Sequence, residues 1–487
     1  MARRLLVALA LLAVAGCGRH DRGALKVAFI DTSANVYAPG ARLSAGAQHL
    51  RAATGAGLVA LDEKGEVVPA LADRWIVTDD GMTFIFRLRD GTWPDGHALT
   101  AESVRGALGV AFRDLRGTSL GLELAPIAQV RAMAGRVIEI RLASPVPALL
   151  QLLAQPELAL SRGKGGSGPM NLARKGDVAI LTMKRPAERG LPEDKDWARH
   201  VRAIELTPAS PAGAIELFGR GDVDVVLGGG LAALPLAPTG PLSRGTVQLD
   251  PAIGLFGLQV RRGDGFLADP RNREAVAMAL DRPALIAPFN IGGWVPTTRI
   301  AAPHLPDDAG LIAERWSGQS LETLRVEAGR RVSAWRGAHR GMPVRLTLAI
   351  DKGPGDDILL TALASQLGAI GVELQRVAPE APADLVLVDK VARYAGTRWF
   401  LDQFNCALRQ GLCEPAADAL LAQASGERAA GARDRTLAEA EALLTKANLF
   451  IPFGSPLRFS LVRSSVTGFA PNAWAFHPLP ALARIPK

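Results

Sequence analysis

The alternation of apolar and polar positions cuts the chain into strands and helices from Ala24 onward. Ala24–Ile30 reads as a first strand, and the segment Val67–Ala72 follows a turn at Lys64-Gly65. In Thr83–Arg89, Phe84, Phe86 and Leu88 point one way, while Thr83, Ile85, Arg87 and Arg89 point the other. That two-residue period predicts a strand packed on one face. Asp79-Asp80-Gly81 before it, and Asp90-Gly91 and Asp95-Gly96 after it, are turn signals. Thr100 caps a helix over 101–111. Val137–Leu142 alternates again until Pro145 and Pro147 stop it, and Leu149–Leu153 reads as a short amphipathic helix. Pro208 to Pro211 opens a helix ending near Gly219, and Val223–Leu227 follows as a short, mostly buried strand.

The second half repeats this logic. Val344, Leu346 and Leu348 alternate with Arg345 and Thr347. Asp357 is placed to cap a helix with Leu359, Leu360, Leu363, Leu367 and Ile370 on one face, and Gly371 suits its left-handed end. Val372–Val377 and Leu385–Val388 are the next strands. Strand, helix, strand at this spacing predicts parallel pairing with a right-handed crossover. Thr436 and Glu439 form a capping box for a helix through Lys446.

A length of 487 residues predicts more than one domain. The net charge of +8 raises the question of nucleic acid. The arginines are scattered, often beside acids, as in Arg271–Glu274 and Arg433–Asp434. No basic block with interleaved aromatics appears, so nucleic-acid binding is not expected. The start of the chain carries a different signal. Arg3 and Arg4 precede an apolar run, Leu5–Val14, too short to span a bilayer and of the right length for a signal-peptide core. It ends in Val14-Ala15-Gly16-Cys17, which resembles the lipobox of bacterial lipoproteins. The expectation is a signal peptide over 1–16, a lipidated Cys17 and a polar tether over 17–23. Of three cysteines, Cys406 and Cys413 remain, and an oxidising compartment favours a disulfide between them. Their spacing is not that of a zinc or redox pair.

The stretch 65–104 reads GEVVPALADRWIVTDDGMTFIFRLRDGTWPDGHALTAESV. It resembles the signature of the family 5 solute-binding proteins of bacterial ABC importers, the oligopeptide, dipeptide and nickel-binding type. The matching positions are Pro69–Ala72, Trp75, Asp80-Gly81, Phe86–Arg89, Asp95-Gly96 and Leu99–Val104, with Ser103 where Asp is usual. Gly166–Pro169, the 219–224 segment, Asp269–Arg282, Leu367–Val372, Ile451-Pro452 and Gly468-Phe469 continue the likeness in family order.

The resemblance implies an α/β, two-lobed periplasmic-binding-protein fold of the cluster C type with an extra subdomain on the first lobe. Lobe I is expected over 24–54, 166–256 and 453–487, the subdomain over 55–165 and lobe II over 257–452. It implies a monomeric binder, not an enzyme, that closes on a small solute or peptide and delivers it to a permease and ATPase complex. It implies no cofactor. In dipeptide-type members an aspartate, in a Gly-Asp-x-x-Asp-Pro stretch, pairs with the ligand's amino terminus. Here Thr397 and Arg398 stand near the expected Asp-Pro. A guanidinium suits a carboxylate or phosphate rather than an ammonium, so Arg398 is expected to face an acidic group. Asp402 or Asp389 is then available for an amine. Trp399 and Tyr394, with Phe400, are candidate aromatic walls, as are Tyr37 and Trp294. Trp75 and Trp93 read as structural.

Two other classes were weighed. A hydrolase needs a nucleophile and base, yet no Gly-x-Ser-x-Gly elbow appears. The seven histidines (His20, His49, His97, His200, His304, His339 and His477) show no metal-ligand spacing and read as surface residues. No catalytic or metal site is therefore expected. A ligand-binding sensor or scaffold without a dedicated transporter is the other reading.

Overall fold

A computed structural model describes residues 23–162, 166–238 and 245–486. The signal segment, Cys17 and part of the Gly-rich turn at 163–169 lie outside the described residues. Two mixed sheets organise the molecule. The first has seven strands, in the spatial order Val247–Asp250, Arg458–Val462, Val225–Gly230, Leu25–Ile30, Ile204–Ala209, Val178–Met183 and Met170–Lys175. Leu25–Ile30 runs parallel to both its neighbours. The second has five strands, ordered Val372–Val377, Val344–Ala349, Leu385–Val391, Gly254–Val260 and Phe450–Gly454.

The βαβ unit forms as its periodicity predicts. Val344–Ala349 pairs parallel with Val372–Val377 across the helix Pro354–Gly368, and Gly371 takes a φ of +82° after that helix. Asp357, however, lies inside the helix, whose N-cap is Gly353; Asp357 instead pairs with Arg376 at 2.5 Å. Proline at the first helical position sets the start earlier than the acid. The capping box at Thr436 is likewise absent. Ala430–Ala447 is one helix, because its Ala, Arg, Leu and Glu content favours helix throughout. The Thr436 hydroxyl within it donates to Glu427 and to the Ala432 carbonyl.

Chain segments cross between the two sheets twice, at 251–253 and at 455–457. Gly254–Val260, just past the first crossing, is buried along its whole length. A Cβ on Gly257 would stand 2.3 Å from the Ile451 carbonyl oxygen, so only glycine lets these strands approach. Next to this crossing, Asp250 accepts from the Asn472 backbone amide and faces His477 Nε2 at 3.2 Å. The His477 backbone amide donates to Nε2 of His49. Both histidines are buried, against the surface position expected of them, because Phe29, Phe469 and Phe476 close around them. Burial pushes the His49 imidazole down to about 3, so it stays neutral.

A third sheet pairs Ala72–Val77, Thr83–Leu88, Val137–Leu142 and Ile127–Ala132. Phe84, Phe86 and Leu88 enter its core with Ile138, Ile140, Val104 and Leu108, as the alternation in 83–89 requires. Ser103, where the resemblance leads one to expect Asp, forms the capping box of the helix Ala101–Asp114 with Thr100. Its Oγ also accepts from the buried indole of Trp93 at 2.8 Å. In the second lobe, Arg299 joins Asp308 at 2.8 Å and Glu441 at 3.1 Å, with Arg299 and Glu441 almost wholly buried. Cys406 and Cys413 are joined in a disulfide, their Cα atoms 5.2 Å apart.

Candidate functional site

Strands of an open α/β sheet end in loops that gather side chains at one edge, and ligands bind there. The strand Leu385–Val391 ends in Ala392, Arg393 and Tyr394, and the helix Thr397–Asp402 follows. These residues meet the helix Ser119–Glu123 and the turn Pro156–Leu158 of the extra sheet's subdomain. Arg393 donates to Ser119 Oγ at 3.1 Å and, more loosely, to Glu157 Oε1 at 3.4 Å. Gln48, from the helix Ala45–Thr54, donates to the same Glu157 oxygen at 3.1 Å. Glu157 Oε2 and both carboxylate oxygens of Glu123 are buried without a hydrogen-bond partner among the described residues. Lys390 donates to Gln403 Oε1 at 2.8 Å. A second bridge lies nearer the crossings, where Arg458 reaches Asp389 Oδ1 at 2.7 Å.

Burial sets the electrostatics here. It pushes the Glu123 carboxyl up to about 8, against the pull of Arg393. It pushes the Lys390 ammonium down to about 8, and Arg393 adds repulsion. Burial also raises Asp356 to about 6, helped by Asp351 and Asp389. The Tyr394 phenol is raised well above its ordinary range, first by burial and then by Glu123. Glu123 and Glu157 thus meet Lys390 and Arg393 in a largely buried cluster.

The residues singled out from sequence scatter around this cluster. Tyr394 lies in it, packed against both the subdomain and the second-lobe cores. Arg398 turns into its own lobe. Its Nε donates to Asp402 at 3.1 Å, and its NH1 reaches the Leu421 carbonyl and Ser425 Oγ. Asp402 is buried beneath it, its carboxyl raised by burial and opposed by Arg398. Trp399 has no exposed surface and packs edge-on against Phe400 in the second-lobe core. Tyr37 is held in the first lobe, donating to the Asp177 carbonyl at 2.9 Å with Arg174 over its ring. Trp294 lines a different cavity of about 650 Å³ beside the crossings, its indole donating to the Ser455 carbonyl at 2.9 Å.

Arg393, Lys390, Glu123 and Glu157 were not singled out from sequence. The position of Arg393 at the carboxyl end of a second-lobe strand was a usable signal. Glu123 sits in Leu-Gly-Leu-Glu-Leu, where a lone acid in an apolar run marks a buried charge only once its surroundings are known.

Two α/β bodies joined by two crossing segments, with charged groups of the subdomain meeting those of the second lobe, are an architecture that hinged binding proteins use. The sequence profile of the bacterial extracellular solute-binding proteins, family 5 Middle, matches residues 66–384, and the chain belongs to that family. It is 25% identical over 350 residues to the probable deoxycholate-binding periplasmic protein YgiS of Escherichia coli, a match covering 64% of this chain and 62% of that protein. It is 23% identical over 476 residues to the periplasmic murein peptide-binding protein MppA of Escherichia coli, covering 85% of this chain and 84% of that one. The fold superposes on OppA of Haemophilus influenzae with a TM-score of 0.80 at 17% identity, over 95% of this chain and 99% of that one. Such low identity speaks for the fold, an α/β two-lobed periplasmic-binding architecture. The two Escherichia coli relatives are by name periplasmic binding proteins.

Proposed function

We propose that this protein is the lipid-anchored, extracytoplasmic binding component of an ABC importer. It takes a small peptide or peptide-like solute between its lobes and presents it to a permease and ATPase complex. The observation that carries the reading is the facing of Glu123 and Glu157 by Arg393 and Lys390 between subdomain and second lobe. A zwitterion satisfies both halves, its ammonium against Glu157 Oε2 and the Glu123 carboxyl, which it draws toward the ionised form, and its carboxylate against Arg393. Tyr394 forms the apolar wall between them. Arg398, Asp402 and Trp399 stabilise the platform from behind. Because the guest contacts both sides, it favours the closed form by its differential affinity for it.

Cys17, at the end of the apolar run, supports the anchor, since several acyl chains on one residue hold a protein stably at a membrane. Mass spectrometry of small molecules released from the purified protein, followed by calorimetric titration, tests the ligand. Bound zwitterions, with affinity lost in both Glu123→Ala and Arg393→Ala, are the expected result. A tightly bound guest indifferent to both substitutions refutes the assignment. Replacing Cys17 by Ser is expected to move the protein from the membrane to the soluble fraction; retention at the membrane refutes the anchor.

A further inference from the structure

A second cavity lies away from the gap between the lobes, where the four-stranded subdomain meets the seven-stranded lobe. Its volume is about 800 Å³, within the range of small-molecule sites. Arg89 reaches it from the end of the strand Thr83–Leu88, Arg189 from the loop after Val178–Met183, and Arg484 from the chain's last turn. Lys184 lines the same wall. Arg89 has one bond, to the Pro69 carbonyl at 3.3 Å, and Lys184 one, to the Gly166 carbonyl at 2.7 Å. The side chains of Arg189 and Arg484 have no hydrogen-bond or ion-pair partner among the described residues.

The acids on this wall form no ion pair with Arg189 or Arg484 among the described residues, although Glu63 also lines it and the charge of Asp73 acts on Arg89. Asp90 pairs outward with Arg136 at 2.6 Å, and Asp62 accepts from the amides of Lys64 and Glu66 in its own turn. Glu188 stands beside Lys184. Burial and repulsion from Arg89 and Arg484 push the Arg189 guanidinium down to about 10. Like charges gathered with too few acids to pair them are costly unless something negative joins them. Elsewhere arginines on this protein find acids readily, as at Glu327 and Glu274.

We propose that this crevice is a second binding site, separate from the gap between the lobes, for a phosphomonoester. Planar guanidinium groups match phosphate oxygens in pairs. A dianion balances several cations better than a carboxylate does. Trp93, Leu71, Phe476 and Pro478 on the same walls suit a small apolar substituent on the ester. A half-open crevice of this size admits a small solute more readily than a membrane surface.

Phenyl phosphate is the probe, with phenol as the uncharged control and anionic phospholipid vesicles as the alternative source of phosphate. Calorimetry and thermal shift on the full mature chain read binding. Phenyl phosphate is expected to bind and raise the melting temperature, and phenol is not. Arg189→Gln and Arg484→Gln are each expected to weaken binding by about tenfold or more, the effect of one charged hydrogen bond. Their unliganded melting temperatures are expected to hold or rise, because a repulsion is removed. Arg336→Gln, which removes an exposed charge on the second lobe, is expected to leave binding unchanged. The proposal is overturned if phenyl phosphate does not bind or if Arg336→Gln weakens it as much as Arg189→Gln. It is also overturned if only the vesicles bind.

Discussion

Replacing Glu123 by Gln isolates the most perturbed acid in the interlobar cluster. Its carboxyl is almost fully buried, without a hydrogen-bond partner, and pushed up to about 8. A glutamate in the unfolded chain titrates near 4.3. The folded value is the higher one, so the favourable contribution is complete below about pH 4.3 and is lost as pH rises toward about 8. A difference of roughly 3.5 units, at 1.36 kcal/mol each, bounds the loss at about 5 kcal/mol. Glutamine keeps the shape and cannot ionise. The ligand-free variant should therefore match the wild type near pH 4 and melt increasingly above it toward pH 8. For a domain of about 150–250 residues each kcal/mol moves Tm by about 2–4 °C, so the gap at pH 8 is bounded at about 10–20 °C. Scanning calorimetry of both proteins at pH 4, 6 and 8 measures it, and comparison at equal pH removes the titration of other groups. A gap that does not change with pH would refute the reasoning. So would a wild type that gains on the variant as pH rises, since Glu123 would then be an ionised partner of Arg393.

Arg398→Ala is expected to lower stability while leaving ligand affinity within about twofold, because the guanidinium neutralises Asp402 inside its own lobe; calorimetric titration and melting separate the two effects. Glu441→Ala should destabilise the second lobe by about 3 kcal/mol, since it leaves buried Arg299 with Asp308 alone and takes the acceptor from the Ile300 and Ala301 amides; denaturant unfolding reads this, and a cost under about 1 kcal/mol would contradict the buried pair. Converting both Cys406 and Cys413 to Ser should cost about 2–3 kcal/mol, the loop-closure value for a seven-residue separation; an unchanged unfolding midpoint would argue against it. Gly257→Ala should impair folding outright, with low soluble yield, because the added methyl meets the Ile451 carbonyl.

Much of the scaffold was legible because its signals are local. Phe84, Phe86 and Leu88 alternate, Thr100 caps, and Gly371 takes the left-handed turn, each within a few residues of its neighbours. Thr436 shows where local signals fail, as a capping pattern inside a strongly helical run is overridden by the run itself. The site was less legible because it is built from distant parts. Glu157 and Arg393 are 236 residues apart in sequence, and no periodicity links them. Arg398 carried the right chemistry in the right segment. A single helical turn, however, aims it at Asp402, four residues along, instead of into the gap. His49 and His477 looked like surface residues because histidine usually is one; their burial depends on three phenylalanines gathered from both ends of the chain.

The strand Arg458–Val462 lies between Val247–Asp250 and Val225–Gly230 in the seven-stranded sheet. Everything from Gly254 to Gly454 is thus threaded through the middle of another body's assembly. During synthesis or export the second lobe has its whole sequence before the first can place this penultimate piece. The first lobe's sheet stays incomplete until the whole of the second lobe's sequence has been made. Premature closure of the seven-stranded sheet is thus forbidden by connectivity alone.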